Sequence, residues 1–271
     1  MIQNTHSELR CRLCDGALLY KFKLRLLEKY DATYFECEQC HSLQTEPPYW
    51  LDEAYGNKNL SNLDTGAVQR NIHNLAASYA ISKLFKVKNV LDIGGGDGLL
   101  CRMLRDYDIN CYVKDKYATP TYAQGFTDQD FDVPDLIVAF EILEHFPNPK
   151  SDLEEIFKYN ANVLLLSTSV YGSEKEDWWY LAPESGQHVF FYSIYALKKI
   201  AEKYSYSLIF SGGFILLLRN ASKLKKTIAK VLLKFRVCRL LRAIVILLPA
   251  RGVWKDHSLQ VNKSKQARPW L

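Results

Sequence analysis

The pattern of apolar and polar residues predicts alternating helices and strands through the middle of the chain. The stretch from Thr65 to Phe85 repeats apolar residues every three or four positions, as one face of a helix does. Short and almost wholly apolar runs follow it, and such runs are typical of strands buried in a parallel sheet. We therefore predict an α/β fold with strands near residues 89–92, 110–115, 134–140 and 162–167.

Beyond these strands the pattern predicts two more helices and a hairpin. The helices are expected at residues 151–159 and 193–203. Ser151 is a candidate N-cap of the first of them, because Glu154 stands at the position that completes a capping box. Two apolar runs around a pair of glycines, within residues 205–219, have the pattern of an antiparallel hairpin.

The C-terminal tail, residues 221–271, alternates basic and apolar residues. On a helical wheel Lys223, Lys226, Lys230 and Lys234 share one side, whereas Arg236, Arg239 and Arg242 fall near the opposite side. One continuous amphipathic helix does not fit this drift. We predict two helical segments with a break near Phe235, followed by a flexible stretch from Gly252 onward.

Charge separates this tail from the rest of the chain. The sequence of 271 residues has a net charge of +5, but the tail alone carries thirteen lysines and arginines against one acid, Asp256. A basic tail indicates an anionic partner. Its many Leu, Ile and Val residues favour a membrane interface, through residues 223–248, over nucleic acid. Docking on the rest of the chain or on a protein partner stays open.

Two pairs of cysteines have the spacing of a metal site. Cys11 and Cys14 form one C-x-x-C pair, and Cys37 and Cys40 form the other. Four thiolates suit a tetrahedral zinc ion and leave no position open for catalysis, so the predicted zinc is structural. A redox dithiol or unrelated thiols are the alternatives. The polar start of the chain shows no secretory signal, and seven cysteines without one favour the reducing cytoplasm.

A glycine-dense turn follows the first predicted strand of the sheet, reading Asp92-Ile-Gly94-Gly-Gly96-Asp97-Gly98. A dinucleotide-binding loop needs G-x-G-x-x-G, whose third glycine would fall one position later, on a leucine. The pattern D-x-G-x-G-x-G resembles motif I of the class I S-adenosylmethionine (SAM) methyltransferases. The resemblance implies a Rossmann-like methyltransferase sheet in which these five residues bind SAM, with Asp92 orienting the amino end of its methionyl part.

Further motifs follow in the order expected of that family. Asp115 ends the next predicted strand about 20 residues beyond the glycine loop, where a carboxylate accepts hydrogen bonds from ribose hydroxyls. A surface acid at a strand end is the alternative. The family's next helix is expected to be shortened or replaced by a loop within residues 116–132, which show little helical periodicity. By the resemblance, Phe140, Glu141 and Ile142 lie near the cofactor, and Glu144 and His145 lie close to the reaction unless they only cap the next turn.

An aromatic loop from Trp178 to Ser193 contains a second candidate histidine. In related methyltransferases a similar stretch borders the substrate, which makes His188, like His145, a candidate general base or substrate-orienting donor. A lid packed by its own aromatic side chains is the alternative. The adjacent Trp178 and Trp179 suit stacking on a sugar or another flat ring.

Together these features predict a SAM-dependent methyltransferase that acts on a small-molecule or glycan acceptor, with a saccharide preferred. A non-catalytic SAM-binding scaffold and an RNA methyltransferase are the alternatives. The chain is expected to divide into a zinc-binding module (1–48), a linker with cofactor-covering helices (49–88), the SAM-binding domain (89–220) and the basic tail (221–271).

Overall fold

The structure, a computed structural model, describes residues 9–56 and 64–266. The chain packs into two compact units, and neither is continuous in sequence. The first unit combines the described residues up to Asp64 with 141–156 and 168–204, and the second combines 65–140 with 157–167 and 205–266. The division at residues 48, 88 and 220 stays a prediction about sequence modules.

The first unit is built on a small antiparallel sheet. Its strands are β1 (Leu18–Leu26), β2 (Tyr30–Cys37), β3 (Leu43–Thr45) and, much later in the chain, β8 (Phe190–Phe191), and they pair in the order β1-β2-β3-β8. Aromatic and aliphatic side chains, with Tyr34 and Trp50 among the largest, fill one core beside this sheet. The indole N–H of Trp50 donates to the Gly186 carbonyl at 2.8 Å, so the polar atom of this buried ring is satisfied.

Among the described residues, three α-helices accompany this sheet, namely α1 (Leu51–Gly56), α4 (Pro149–Phe157, up to Ile156 in this unit) and α5 (Ile194–Lys203). The helix predicted after residue 193 is confirmed, and the Ser193 hydroxyl caps it by accepting the Ala196 amide at 2.9 Å. The cap predicted at Ser151 is wrong. Helix α4 begins earlier because proline suits the first helical position, and Asp152 Oδ2 accepts the Asn148 amide at 3.0 Å.

The second unit is built on a six-stranded mixed sheet. Its strands are β4 (Asn89–Ile93), β5 (Asn110–Lys114), β6 (Leu136–Phe140), β7 (Val163–Ser167), β9 (Ser207–Ser211) and β10 (Phe214–Leu218). They pair in the order β5-β4-β6-β7-β10-β9, with the first four parallel and the last two antiparallel. The four predicted strands and the hairpin are confirmed. Because the parallel strands share one direction, their carboxyl ends meet at one edge, where the glycine loop and Asp115 lie.

Two helices of this unit precede the tail, α2 (Ala67–Phe85) and α3 (Leu99–Asp106). Helix α2 confirms the helix that the apolar periodicity predicted for residues 65–85. Between β5 and β6 the described chain contains turns and bends but no helix, as predicted for residues 116–132. Helix α3 starts directly after the glycine loop, so the loop is fixed at one end by a strand and at the other by a helix.

The tail forms α6 (Lys223–Leu232), α7 (Phe235–Val245) and α8 (Gly252–Gln266), and the predicted break near Phe235 is confirmed. The prediction of a flexible stretch from Gly252 onward is wrong for residues 252–266, which form α8. The last five residues lie outside the described part of the chain. Helix α8 is held by Asp256, whose carboxylate accepts from Arg105 at 2.7 Å and from Arg102 at 2.6 Å. This pairing joins distant parts of the sequence, which explains why local periodicity did not reveal it.

Helices α6 and α7 also dock on the second unit. Ala229, Leu233, Cys238 and Val245 are buried, and Lys226 donates to the Ser207 hydroxyl at 2.7 Å. Docking of the tail, left open by the sequence, is therefore observed. Along the described chain, every helix is too short or too polar to cross a membrane.

Candidate functional site

The four predicted metal ligands converge at one point of the first unit. Cys11 Sγ lies 3.6 Å from Cys40 Sγ, Cys14 Sγ lies 3.4 Å from Cys37 Sγ, and all four sulfurs lie within 4.8 Å of one another. A tetrahedral zinc ion with bonds of about 2.3 Å to sulfur holds its ligands about 3.8 Å apart. The spacing of these sulfurs therefore fits zinc. No carboxylate or histidine belongs to this set of ligand atoms.

The backbone around the cysteines is shaped for metal binding. The Asp15 amide donates to the Cys11 carbonyl at 2.9 Å, and the His41 amide donates to the Cys37 carbonyl at 2.9 Å, so each C-x-x-C pair closes a tight turn. The Cys40 amide points at Cys37 Sγ at 3.5 Å, which stabilises sulfur as a thiolate. Strands β1 and β2 carry the two turns side by side, which is why cysteines so far apart in sequence meet.

The predicted SAM loop lies in the second unit, between β4 and α3. Gly94, Gly96 and Gly98 all have positive φ, which suits glycine far better than other residues. Gly95, which the sequence analysis left out, is equally constrained. A Cβ atom there would lie 2.5 Å from Asp92 Oδ2 and 2.6 Å from Val113 Cγ2. The motif allows any residue at this position, so only the structure reveals the close approach.

Asp92 is the buried acid of this loop. Its side chain is 2% exposed, and Oδ2 has no hydrogen-bond partner among the described residues. Burial, reinforced by the nearby Asp115 carboxylate, raises the pKa of Asp92 to about 7. An unsatisfied buried carboxylate oxygen fits the ammonium group of a methionyl moiety, which would supply both a hydrogen-bond donor and a positive charge.

Asp115 holds the loop together. Its Oδ2 accepts the Gly96 amide at 2.9 Å, and its Oδ1 accepts the Tyr117 and Ala118 amides at 2.8 and 2.7 Å. Oδ2, which accepts only one of these amides, has room for another donor, so the ribose contact of Asp115 stays a prediction. Asp97 is exposed in the loop, and Phe140 ends β6 with its ring centroid 5.8 Å from that of Phe214.

A second group of candidate residues lies in the first unit, and we call Glu144, His145 and His188 the acid–histidine cluster. His145 and His188 meet edge to face, with ring centroids 4.8 Å apart. His145 Nε2 lies 4.0 Å from Glu144 Oε1. The Val189 amide donates to the Glu144 carbonyl at 2.8 Å, so the backbone next to His188 is fixed against the turn that carries the other two residues.

Burial sets the protonation states of this cluster. Glu144 is fully buried, and burial together with the nearby Glu141 charge raises its pKa to about 8. Burial and the neighbouring His188 lower the pKa of His145 to about 3, and burial also lowers the pKa of His188. Both imidazoles are therefore neutral at physiological pH. His188 Nδ1 lies 2.6 Å from the Tyr180 carbonyl and donates to it, which leaves Nε2 with a free lone pair.

Two residues beside the cluster complete the site. Tyr180 donates its hydroxyl to Glu141 Oε2 at 2.9 Å and lies 3.2 Å from the Thr168 hydroxyl. Glu141 has a φ of 53°, a left-handed conformation that is unfavourable for glutamate. Such strain is concentrated at functional sites. The sequence analysis missed Tyr180, because a tyrosine in an aromatic loop looks like any other packing residue. Ile142 follows Glu141 and stands at the N-cap position of the short helical turn Leu143–His145, without a side-chain capping hydrogen bond.

The two adjacent tryptophans do not form a joint platform. Trp178 packs against Tyr180 and Phe191 with ring centroids 5.4 Å away from each, so its face contributes to the core of the first unit. Trp179 is 76% exposed. Of the two tryptophans, Trp179 is the one whose ring is exposed to solvent. The ring of Trp178 packs against other aromatic side chains of the loop.

The two groups of predicted site residues thus lie in different units. Asp92, the glycine loop and Asp115 belong to the second unit with Phe140, whereas Glu141, Ile142 and the acid–histidine cluster belong to the first.

More than half of the chain matches a known protein family. Residues 62–209 fit the sequence profile of a family described as a methyltransferase domain. The match covers the glycine loop, Asp115 and the whole acid–histidine cluster. No curated protein sequence gives a significant match to this chain.

Solved methyltransferase structures are similar at low sequence identity. The 1,6-didemethyltoxoflavin-N1-methyltransferase of Burkholderia thailandensis is 11% identical, with 70% of this chain and 96% of that chain covered and a TM-score of 0.48. The magnesium protoporphyrin IX methyltransferase of Synechocystis PCC 6803 is 14% identical, with 63% and 100% covered and a TM-score of 0.45. The methyltransferase domain of bacterial CtHen1-C is 17% identical, with 56% and 99% covered and a TM-score of 0.39.

Proposed function

The chain belongs to the methyltransferase-domain family of SAM-dependent enzymes, and from that premise we propose that it methylates a small-molecule or glycan acceptor. The cofactor assignment rests on the environment of Asp92. Its carboxyl group is buried, and one of its oxygens has no hydrogen-bond partner among the described residues. The glycines of the adjacent loop allow a ligand to approach the backbone closely. The acceptor assignment rests on the acid–histidine cluster, which offers a free imidazole nitrogen.

SAM supplies an electrophilic methyl carbon, whose bond to sulfur breaks as the acceptor's lone pair forms the new bond and S-adenosylhomocysteine leaves. Asp92 would hold the methionyl ammonium, and Gly94, Gly96, Asp97 and Gly98 would bring the backbone against the cofactor. Asp115 would keep this loop in shape through the Gly96 amide and accept from the ribose. The chain's main contribution is the positioning of two reactants.

An acceptor hydroxyl must also lose its proton. His188 suits this role because its Nδ1–H is committed to the Tyr180 carbonyl and its Nε2 is free to accept. His145 is the weaker candidate, since burial holds its pKa near 3. Phe140, Glu141 and Ile142, at the end of β6, are proposed to approach the cofactor, as the family resemblance implies.

A saccharide is our preferred acceptor. The exposed indole of Trp179 supports it, because flat aromatic faces stack on the apolar faces of sugars. The competing proposals make different predictions. A non-catalytic scaffold would bind S-adenosylhomocysteine and tolerate substitution of His145 and His188, and an RNA methyltransferase would methylate RNA in preference to glycans.

We assign the four cysteines to a structural zinc ion, as their sulfur spacing supports. Free thiols and a thiolate site suit a reducing compartment, and we propose the cytoplasm. The basic tail adds a proposal of peripheral membrane contact, at the inner face. Leu240, Ile244 and Leu247 lie four and then three residues apart on the exposed side of α7 and just beyond it, near exposed Arg236 and Arg239. An apolar stripe flanked by arginine favours an anionic lipid surface.

Binding of S-adenosylhomocysteine should strengthen as pH rises from 6 to 8. The cofactor's ammonium needs Asp92 ionised, and the pKa of Asp92 is raised to about 7, so the empty site is largely protonated below that pH. Affinity should therefore fall by about tenfold for each pH unit below 7 and level off above it. Titration calorimetry of the zinc-loaded protein at several pH values measures this directly.

The Asp92→Asn variant should lose this pH dependence and bind roughly 10- to 100-fold more weakly at pH 8, because an amide cannot pair with the ammonium. Asp128→Asn, an exposed acid in the loop after β5, is the matched control and should behave as wild type. Absence of binding at every pH in the wild-type protein would refute the cofactor assignment.

Sedimentation with lipid vesicles tests the membrane proposal. The protein should bind vesicles rich in phosphatidylglycerol more strongly than phosphatidylcholine vesicles, and less at high salt. Replacing Leu240 and Leu247 together by serine should weaken binding by at least about tenfold, since each leucine contributes roughly 1.5 kcal/mol or more when buried. Leu19→Ser, an exposed leucine on β1, is the control. Equal binding of both variants to anionic vesicles would contradict a lipid contact through α7.

A further inference from the structure

The acid–histidine cluster has the composition and geometry of a second metal site. One carboxylate oxygen of Glu144 and one ring nitrogen each of His145 and His188 lie within 4.8 Å of one another. We propose that these three side chains bind a divalent metal cation, distinct from the tetra-cysteine zinc, and that this cation holds the hydroxyl oxygen of the acceptor. The inference deepens the proposed function and rests on it for the identity of the bound hydroxyl.

Glu144 gives the first argument. It is fully buried, and neither of its carboxylate oxygens makes a hydrogen bond of normal geometry to the described residues. The hydroxyls of Tyr180 and Thr168 lie near this carboxyl group. A buried carboxyl group whose two oxygens lack hydrogen-bond partners is costly, and a bound cation would satisfy both oxygens. His145 Nε2 lies 4.0 Å from Glu144 Oε1, so a ring nitrogen stands beside this carboxyl group.

The orientation of His188 gives the second argument. Histidines that bind metals usually donate their other ring N–H to a carbonyl or carboxylate, which fixes the tautomer and turns the free nitrogen to the ion. His188 already makes this contact, because Nδ1 donates to the Tyr180 carbonyl. His145 is held in a similar way, with Nδ1 3.4 Å from the Tyr55 hydroxyl. In each ring Nδ1 is the nitrogen held by a neighbouring oxygen, and Nε2 of His145 is the nitrogen that lies 4.0 Å from Glu144 Oε1.

The donor set indicates both the metal and the ligand. Two imidazoles with one carboxylate bind zinc in catalytic sites and ferrous iron in oxygenases, and both kinds of site keep positions open. The cluster thus differs from the four cysteines, which fill a tetrahedron. An open position on a divalent cation attracts oxygen and lowers the pKa of a bound hydroxyl. The site therefore favours O-methylation of a hydroxylated acceptor. The cation would take over the activating role proposed for His188, the hydroxyl proton would pass to water, and S-adenosylhomocysteine would leave as the methyl group joins the oxygen.

Cobalt is a suitable probe. Zinc-loaded protein is incubated with Co²⁺, passed through a desalting column, and assayed for zinc, cobalt and visible absorption. We expect one cobalt per chain in addition to one zinc, with the weak visible bands of nitrogen and oxygen ligands. Intense sulfur-to-cobalt absorption with loss of zinc would instead mean exchange at the cysteines, and together with no further cobalt it would overturn the proposal.

Variants identify the ligands. Glu144→Gln and His188→Gln should each lower the cobalt content at least about tenfold while the zinc content is unchanged. Glu184→Gln and His257→Gln replace the same residue types at exposed positions and should retain cobalt. Retention of the cobalt in both cluster variants would overturn the assignment. Both variants nearly keep the size of the side chain, and their zinc content and circular dichroism show whether they fold. If a variant does not fold, the cobalt stoichiometry of the wild-type protein still decides the question.

Calorimetry with S-adenosylhomocysteine on the same samples separates this inference from the proposed function. Cofactor binding without any additional cobalt would refute only the second metal site. Cobalt binding without cofactor binding would establish the site and refute the methyltransferase assignment on which its hydroxyl ligand depends.

Discussion

A Cys37→Ser variant is expected to lose its zinc and to destabilise the first unit severely. Serine is a poor ligand for zinc, and three cysteines hold the ion far more weakly than four. Loss of a structural metal belongs to the few changes that cost about 4 kcal/mol or more. For a chain of this size that corresponds to a fall in Tm of roughly 10 °C. Zinc analysis and thermal unfolding followed by circular dichroism measure the two effects.

The damage should extend to the acid–histidine cluster, because Arg12 lies between the first two cysteines in sequence. Its guanidinium donates to the Val189 carbonyl at 2.6 Å and to the Pro147 carbonyl at 2.9 Å. These carbonyls belong to residues that adjoin His188 and follow His145. Through Arg12 the tetra-cysteine site thus fixes the segments that carry both histidines, and methyl transfer should be lost even where the protein remains soluble.

Cys238→Ser is the matched control. Cys238 is a buried cysteine of α7, and its thiol contacts only the His73 carbonyl, at 3.7 Å, among the hydrogen bonds that the structure describes. The variant should keep its zinc and lose about 1 kcal/mol of stability. If Cys37→Ser kept a full zinc complement, or lost zinc without a change in Tm, the four cysteines would not form a structural site.

The features that the sequence predicts well are set by neighbouring residues. The C-x-x-C pairs fix two cysteines in one turn whatever lies between the pairs, and the runs that became β4 and β6 are apolar enough to need burial on both faces. The glycine spacing is equally local, because each glycine occupies a backbone conformation decided within the loop. The helix predicted to begin at Ser193 is confirmed, and the Ser193 cap depends only on the next three residues.

The features that the sequence did not predict depend on distant partners. Helix α8 is stabilised by the ion pairs of Asp256 with two arginines of α3. The sequence around Gly252 does not indicate these ion pairs, because their partners are about 150 residues away. A Cβ on Gly252 would lie 1.7 Å from the Arg105 carbonyl, so the glycine itself marks the contact only once α3 is in place. The role of Tyr180 beside Glu141 was likewise invisible, since the two residues are far apart along the chain.

Substitution of Gly95 by alanine is expected to abolish cofactor binding. The new Cβ would lie 2.5 Å from Asp92 Oδ2 and 2.6 Å from Val113 Cγ2, both closer than real contacts allow. Val113 is a branched side chain buried on β5 and cannot turn away, so the Asp92 carboxylate or the loop backbone must move. Either shift misplaces the oxygen that would hold the cofactor's ammonium, and misplaced charged hydrogen bonds lose about 1.5–3 kcal/mol each.

The distortion of the loop adds to this loss of hydrogen-bond energy. We therefore expect S-adenosylhomocysteine to bind at least about 100-fold more weakly to Gly95→Ala than to the wild-type protein, as measured by calorimetry at pH 8. Gly56→Ala is the control, because a Cβ at this position in α1 meets no atom within 4 Å. The Asp92→Ala/Gly95→Ala double variant tests the cause. Removal of the carboxylate relieves one of the two clashes, so the thermal stability lost in Gly95→Ala should partly return while binding stays absent. Wild-type affinity in Gly95→Ala would mean that the loop adjusts freely, and Asp92 would then not be the fixed point on which cofactor binding depends.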